Sequence, residues 1–184
     1  MVRRSFFIIF LFSFYSWAQQ PLTSNQKFHK TSGDVLVAAL PALALGSTFI
    51  WDDESNGTLQ FTKSFLATSA TVYVLKLLID KERPNGESLN SFPSGHTAIS
   101  FSSAAFFQKR YGWKVGIPAY ALAAYVGYTR IKSDKHDKWD VLAGALIGTG
   151  FSYLFTKKYT KDSKISLSLG TMDRYTTVGL TYRF

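Results

Sequence analysis

The chain has 184 residues, 46% of them hydrophobic, a formal charge of +9 and no cysteine. That length supports one domain with its own core, and the missing cysteines exclude a disulfide framework and any cysteine-based metal site. The positive charge suits an anionic substrate or an anionic membrane surface; with no recognisable nucleic-acid module beside it, it does not point to DNA or RNA.

Arg3 and Arg4 precede an apolar run, Ser5–Trp17, that closes on Ser16-Trp17-Ala18. This is the pattern of a secretory signal cut after Ala18. An uncleaved first membrane helix is the alternative, although the run is short against the roughly 20 residues a span requires. Both readings place residue 20 outside the cytoplasm. After a polar stretch come five apolar runs: Val35–Ile50, Ser64–Ile79, Thr97–Phe107, Val115–Thr129 and Val141–Thr156. Lys76 is the one charge inside them. Each is expected to be a helix, bounded by breakers or caps at Gly33-Asp34, Asn56-Gly57, Pro84-Asn85-Gly86, Ser94-Gly95, Gly112 and Asp140. Pro41 and Pro118 should kink their helices.

Apolar residues surround each run, so these helices are buried on most sides by protein or by lipid. The runs are mostly shorter than a span, but Trp51, Tyr111, Trp113, Trp139, Tyr153 and Tyr159 sit at their ends as interfacial anchors would. Lys109-Arg110 and Lys157-Lys158 suit cytoplasmic ends, whereas Asp52, Asp53 and Glu54 do not. The expected fold is therefore all-α, a membrane-embedded bundle of five to six helices, with a soluble exported bundle as the alternative. From Lys164 the pattern changes: Ile165–Leu169 and Tyr175–Phe184 alternate as a β-hairpin would. The expected division is 1–18 signal or first membrane helix, 19–163 helical domain and 164–184 hairpin tail.

Three polar clusters interrupt this apolar chain. Ser94, after Pro93, is a candidate N-cap, and the amides beyond it, with Gly95 among them, could face an anion. An ordinary capped helix with a surface His96 would look the same. Lys76 near one helix end and Arg83, held extended by Pro84, could converge on one anion as a point charge and a planar fork; a snorkelling lysine and a solvated arginine remain the plainer account. Arg130, His136 and Asp140 form the third cluster. His136 and Asp140 stand four apart and would share a face if the segment is already helical. A carboxylate on one imidazole nitrogen fixes the tautomer and leaves the other as a nucleophile; a charged helix entrance with a casual His–Asp pair, among Lys132, Lys135, Asp137 and Lys138, would look the same.

The order K-x6-R-P, P-S-G-H and T-R-x5-H-x3-D resembles the type 2 phosphatidic acid phosphatase superfamily, which includes bacterial acid phosphatases and vanadium haloperoxidases. The resemblance spans roughly residues 34–157. One position departs from the pattern: Thr129 stands where serine is usual. The resemblance implies a metal-independent phosphatase acting on a phosphomonoester or pyrophosphate, most simply of a lipid, with no cofactor and with vanadate binding as a phosphate mimic. It implies that His136 attacks phosphorus, Asp140 orients it and His96 moves protons. Lys76, Arg83, Ser94, Gly95 and Arg130 would hold the phosphate. In the membrane topology the clusters assemble on one non-cytoplasmic face, which places the enzyme in a bacterial membrane facing the periplasm, or in the periplasm. A soluble acid phosphatase, a vanadium-dependent haloperoxidase and a non-catalytic lipid-binding or assembly protein are the alternatives. The particular substrate and the oligomeric state are left open.

Overall fold

The computed structural model describes residues 23–51, 56–159, 165–172 and 175–182. The expected signal segment, 1–18, and the acidic residues Asp52, Asp53 and Glu54 lie outside them. Among the described residues the chain forms α1 (Ser24–Trp51), α2 (Gly57–Leu78), α3 (Gly95–Tyr111), α4 (Trp113–Lys132) and α5 (Lys138–Phe155), with strands β1 (Ile165–Met172) and β2 (Tyr175–Tyr182) after them. The strands pair antiparallel, with Ile165 opposite Tyr182 and Met172 opposite Tyr175.

The helices outrun the apolar stretches that announce them. α1 reaches 28 residues because it starts at Ser24, ahead of Gly33-Asp34. The cause is local: Thr23 and Gln26 make a reciprocal capping pair, Thr23 N donating to Gln26 Oε1 (3.0 Å) and Gln26 N donating to Thr23 Oγ1 (3.2 Å). Gly33 and Asp34 are thus helix interior, not a helix start. α2 covers 22 residues behind the left-handed Asn56 (φ 56°). Pro41 and Pro118 lie inside continuous helices.

α3 is the central element and packs against the other four helices. Small residues let α5 close on it. A Cβ at Gly144 would stand 2.5 Å from the Ser94 carbonyl oxygen, and one at Gly148 would stand 2.8 Å from the Ser102 amide. Ala44, Ala104, Ala105, Ala119 and Ala123 are buried with Leu40, Phe61 and Phe106, as are the hydroxyl residues Ser64, Thr68, Ser100, Ser102, Ser103 and Ser152. Many other large apolar side chains are exposed, among them Phe49, Leu66, Leu78, Ile117, Leu146 and Leu154. Among the described residues one helix, Ser24–Ile50, is long and apolar enough by itself to cross a membrane.

Alternating helix directions bring the C-terminal ends of α2 and α4 together with the N-terminal ends of α3 and α5. The connection 79–94 is laced there to the connection 133–137, Asn85 N donating to the Asp134 carbonyl (3.1 Å), and to the first turn of α5, Ser94 N donating to the Asp140 carbonyl (2.9 Å). At the far end Arg110 is buried against the rings of Phe106, Tyr111 and Tyr159 and donates to Gln60 Oε1 (3.1 Å) and the Lys157 carbonyl (3.3 Å).

Candidate active site

Asp140 is fully buried and is the most heavily engaged carboxylate of the clustered end. It occupies the third position of α5, whose N-cap is Asp137, and the two form a capping box. Asp137 Oδ1 accepts from the amides of Trp139 (2.8 Å) and Asp140 (3.0 Å), and Asp140 Oδ2 accepts from Asp137 N (3.1 Å). His136 therefore precedes the helix. It meets Asp140 not along a shared helical face, as the four-residue spacing suggested, but because the N3 carboxylate folds back over the helix start. His136 Nδ1 is 3.6 Å from Asp140 Oδ2. Ser91 bridges them: its hydroxyl donates to Asp140 Oδ2 at 2.5 Å and lies 3.4 Å from His136 Nδ1. Lys81 Nζ neutralises both acids, at 2.7 Å from Asp140 Oδ1 and 2.7 Å from Asp137 Oδ2.

Lys76 and Arg83 converge on the segment that carries Ser91. Lys76 Nζ donates to the Asn90 carbonyl at 2.6 Å, and Arg83 Nη2 donates to Asn90 Oδ1 at 3.3 Å. Backbone bonds from Lys81 N to the Leu89 carbonyl (2.7 Å), Arg83 N to the Ser88 carbonyl (2.9 Å) and Ser91 N to the Lys81 carbonyl (2.9 Å) fold residues 81–91 into a tight flap. Glu87 on its tip pairs with Lys135 and lies 3.9 Å from Arg83 Nη1.

The third group centres on Asp34. Its Oδ1 is 3.0 Å from His96 Nε2 and 2.9 Å from Arg130 Nη1. Arg130 also donates through Nη2 to the Lys30 carbonyl (2.8 Å) and through Nε to Thr129 Oγ1 (3.3 Å). The Thr129 hydroxyl thus serves the guanidinium, which accounts for a hydroxyl residue at that position. Ser94 is the N-cap of α3, as its place after Pro93 suggested, and its side chain accepts from Thr97 N at 3.4 Å. A Cβ at Gly95 would make only an ordinary 3.5 Å contact with Val72, so packing alone does not require glycine there.

The structure brings all the candidate residues to one end of the bundle, in two groups. Lys76, Arg83, His136 and Asp140 surround the Ser91 segment, while His96 and Arg130 meet at Asp34. Arg83 lies within electrostatic range of both imidazoles. Burial, and then the charges of Lys76 and Arg83, push His136 down to about 4, against the pull of Asp140. Its ring is neutral at physiological pH. A proton on Nδ1, facing the Ser91 hydroxyl, leaves Nε2 bare and able to act as a nucleophile. Three further residues belong to this arrangement, and no sequence motif singled them out. Ser91 carries no motif, Lys81 was one of several cations near the clusters with no role of its own, and Asp34 sat where a helix start was expected.

A helical bundle with two histidines and several cations at one end suits the binding of a phosphate ester, and comparison with known proteins points to the same class. The PAP2 superfamily model matches residues 77–164. A lipid A 4'-phosphatase of Helicobacter pylori is 30% identical over 167 residues, covering 85% of this chain and 83% of that protein. A lipid A 1-phosphatase of Porphyromonas gingivalis is 35% identical over 116 residues, 50% of this chain but only 26% of that longer protein. Two crystal structures share the fold. LpxE of Aquifex aeolicus has a TM-score of 0.56 at 21% identity, covering 74% of this chain and 96% of its own. The transmembrane PAP2-type phosphatidylglycerolphosphate phosphatase of Bacillus subtilis has a TM-score of 0.58 at 23% identity, covering 74% and 77%. The chain belongs to the PAP2 superfamily and is, with these relatives, a phosphoric ester hydrolase.

Proposed function

We propose that this protein is a metal-independent lipid phosphatase of a bacterial membrane, working through a phosphohistidine on the non-cytoplasmic face. Bound phosphate is held by Lys76, Arg83 and Arg130, with the Ser94 hydroxyl and the Gly95 amide completing the cradle, so that three cations supply the charge a metal ion would otherwise provide. His136 Nε2 attacks phosphorus, the ester P–O bond breaks, and His96 gives its proton to the leaving oxygen. His96 then takes a proton from water as that water attacks the phosphohistidine, and the N–P electron pair returns to His136. Asp140 and the Ser91 hydroxyl stabilise the imidazolium formed during attack. Vanadate, a phosphate mimic, should occupy the same cradle.

The observation that carries this reading is the neutral, buried His136 linked through Ser91 to a fully buried Asp140, at the bundle end that also carries His96 and the cations. The lipid substrate rests on the relatives, which act on lipid A and, in a probable diacylglycerol pyrophosphate phosphatase of Schizosaccharomyces pombe, on another lipid phosphate. Membrane embedding is supported by many small and hydroxyl residues inside, packed around Leu40, Phe61 and Phe106, by many leucines exposed outside, and by α1, long enough to span. On this reading residues 1–18 export the chain or form a further membrane helix, 19–163 are the catalytic bundle, and 164–184 append a β-hairpin. The test is a side-by-side assay of the purified protein on lipid A, phosphatidic acid, phosphatidylglycerol phosphate and p-nitrophenyl phosphate, with and without EDTA. Turnover indifferent to EDTA, with a lipid ester preferred at least about tenfold in kcat/KM, is expected. Loss with EDTA and recovery with magnesium, or preference for the soluble ester, would overturn the proposal.

A further inference from the structure

One carboxylate oxygen, Asp34 Oδ1, serves two groups from two other helices: His96 Nε2 on α3 at 3.0 Å and Arg130 Nη1 on α4 at 2.9 Å. Arg130 does not need Asp34 to be held. Its side chain is 4% exposed, its Nη2 is taken by the Lys30 carbonyl and its Nε by Thr129. It also lies flat on α1, because a Cβ at Gly33 would run into Arg130 Nη2 and Thr129 Oγ1. His96 is in the opposite position: Asp34 is the one ion-pair partner of its ring among the described residues. The carboxylate itself is 44% exposed, at the open side of the bundle end.

We propose that Asp34 is the positioning residue for the acid–base histidine, doing for His96 what Asp140 and Ser91 do for His136; this rests on the acid–base role proposed for His96. The contact assigns the protons. In the cation, Nε2–H points at Asp34 and Nδ1–H is the one available to the leaving oxygen. When Nδ1 gives its proton away, the neutral ring keeps its hydrogen on Nε2, where the carboxylate accepts it. The ring then presents bare Nδ1 to the incoming water. The carboxylate also offsets part of what burial and the Arg130 guanidinium do against the cationic ring. The capping box at Thr23 has a functional consequence on this view, since it is what makes Asp34 an interior helical residue able to reach α3 and α4.

Esters with different leaving groups separate positioning of an acid from simple support of the fold. A p-nitrophenolate leaves without being protonated, whereas an alkoxide does not. In Asp34→Asn, kcat/KM for dodecyl phosphate should fall roughly 10- to 100-fold, while the first-turnover burst of p-nitrophenolate from p-nitrophenyl phosphate stays within about threefold of wild type, and phosphoenzyme accumulates because water is no longer activated. The burst amplitude also reports how much protein carries an intact site. Asp34→Glu, which keeps the charge, should show the same ester dependence with a smaller loss, and serves if the asparagine variant does not fold. Equal slowing of both esters, or no slowing of either, overturns the proposal. His96→Ala is the control. If it shows the ester dependence and the Asp34 variants do not, the inference fails and the reading of His96 stands. If His96→Ala shows none, the acid–base role of His96 fails and the inference falls with it.

Discussion

Ser91→Ala removes one buried oxygen and nothing of the backbone scaffold, because Ser91 is held through its own amide to the Lys81 carbonyl at 2.9 Å. The lost hydroxyl is the bridge between Asp140 Oδ2, at 2.5 Å, and His136 Nδ1, at 3.4 Å. Without it the imidazole faces a carboxylate 3.6 Å away, beyond hydrogen-bond reach. A hydrogen bond to a charged group contributes about 1.5–3 kcal/mol. Asp140 retains Lys81 Nζ at 2.7 Å and Asp137 N at 3.1 Å, so the folded state should lose only about 1–2 kcal/mol. The chemical step should suffer more, since the imidazole becomes cationic as it attacks and then needs the relay fully. A loss of about 1.5–3 kcal/mol there slows phosphoenzyme formation about 10- to 150-fold. Rapid-quench measurement of the first turnover reads that step directly. KM should stay within about threefold, because the hydroxyl does not belong to the proposed phosphate cradle. A fall in kcat of less than about twofold, or a raised KM with kcat preserved, would refute the relay.

Three further outcomes are expected. Gly148→Ala places a methyl against the Ala98 carbonyl and 2.8 Å from the Ser102 amide, so α5 must move off α3; stability should drop by about 1–3 kcal/mol in chemical denaturation, and activity with it, since Asp140 rides on α5. His136 binds a proton below about 6.5 when unfolded but only below about 4 when folded, so its contribution to stability declines as pH falls through that window; the wild type should lose about 3 kcal/mol relative to His136→Gln between pH 7 and pH 4, and equal slopes for the two proteins would contradict the buried neutral ring. Vanadate should compete with substrate, and Arg83→Ala should weaken its binding at least about tenfold, whereas unchanged inhibition would remove Arg83 from the cradle.

The parts of the site that were legible in the sequence are those whose signal is local. Ser94 announced itself as an N-cap through Pro93 and Gly95. Lys76 stood out as the one charge inside the apolar runs, and His136 and Asp140 through their spacing. Even there the spacing suggested the right partners for the wrong reason, since Asp137 caps α5 and leaves His136 outside the helix. Ser91, Lys81 and Asp34 were illegible because their partners lie 49, 59 and 62 residues away along the chain. No local pattern marks a serine that closes a gap between a histidine and an aspartate. The helix count came from apolar runs, but the helix lengths did not: hydrophobicity marks the buried or lipid-facing part of a helix, while ends such as Ser24–Gly33 are set by capping and carry polar residues. The Thr23–Gln26 pair is a local signal too, and it places Asp34 in the helix that presents it to His96.

The central claim is that phosphate passes through His136. Rapid acid-free denaturation of the enzyme during turnover of a 32P-labelled lipid phosphate should trap label on protein, stable to alkali and released by acid, as a phosphoramidate behaves, and mapping to His136. His136→Ala should trap none while His96→Ala traps more than wild type with an activated ester. Unlabelled wild-type enzyme during demonstrable turnover, or label that persists in His136→Ala, would contradict the account.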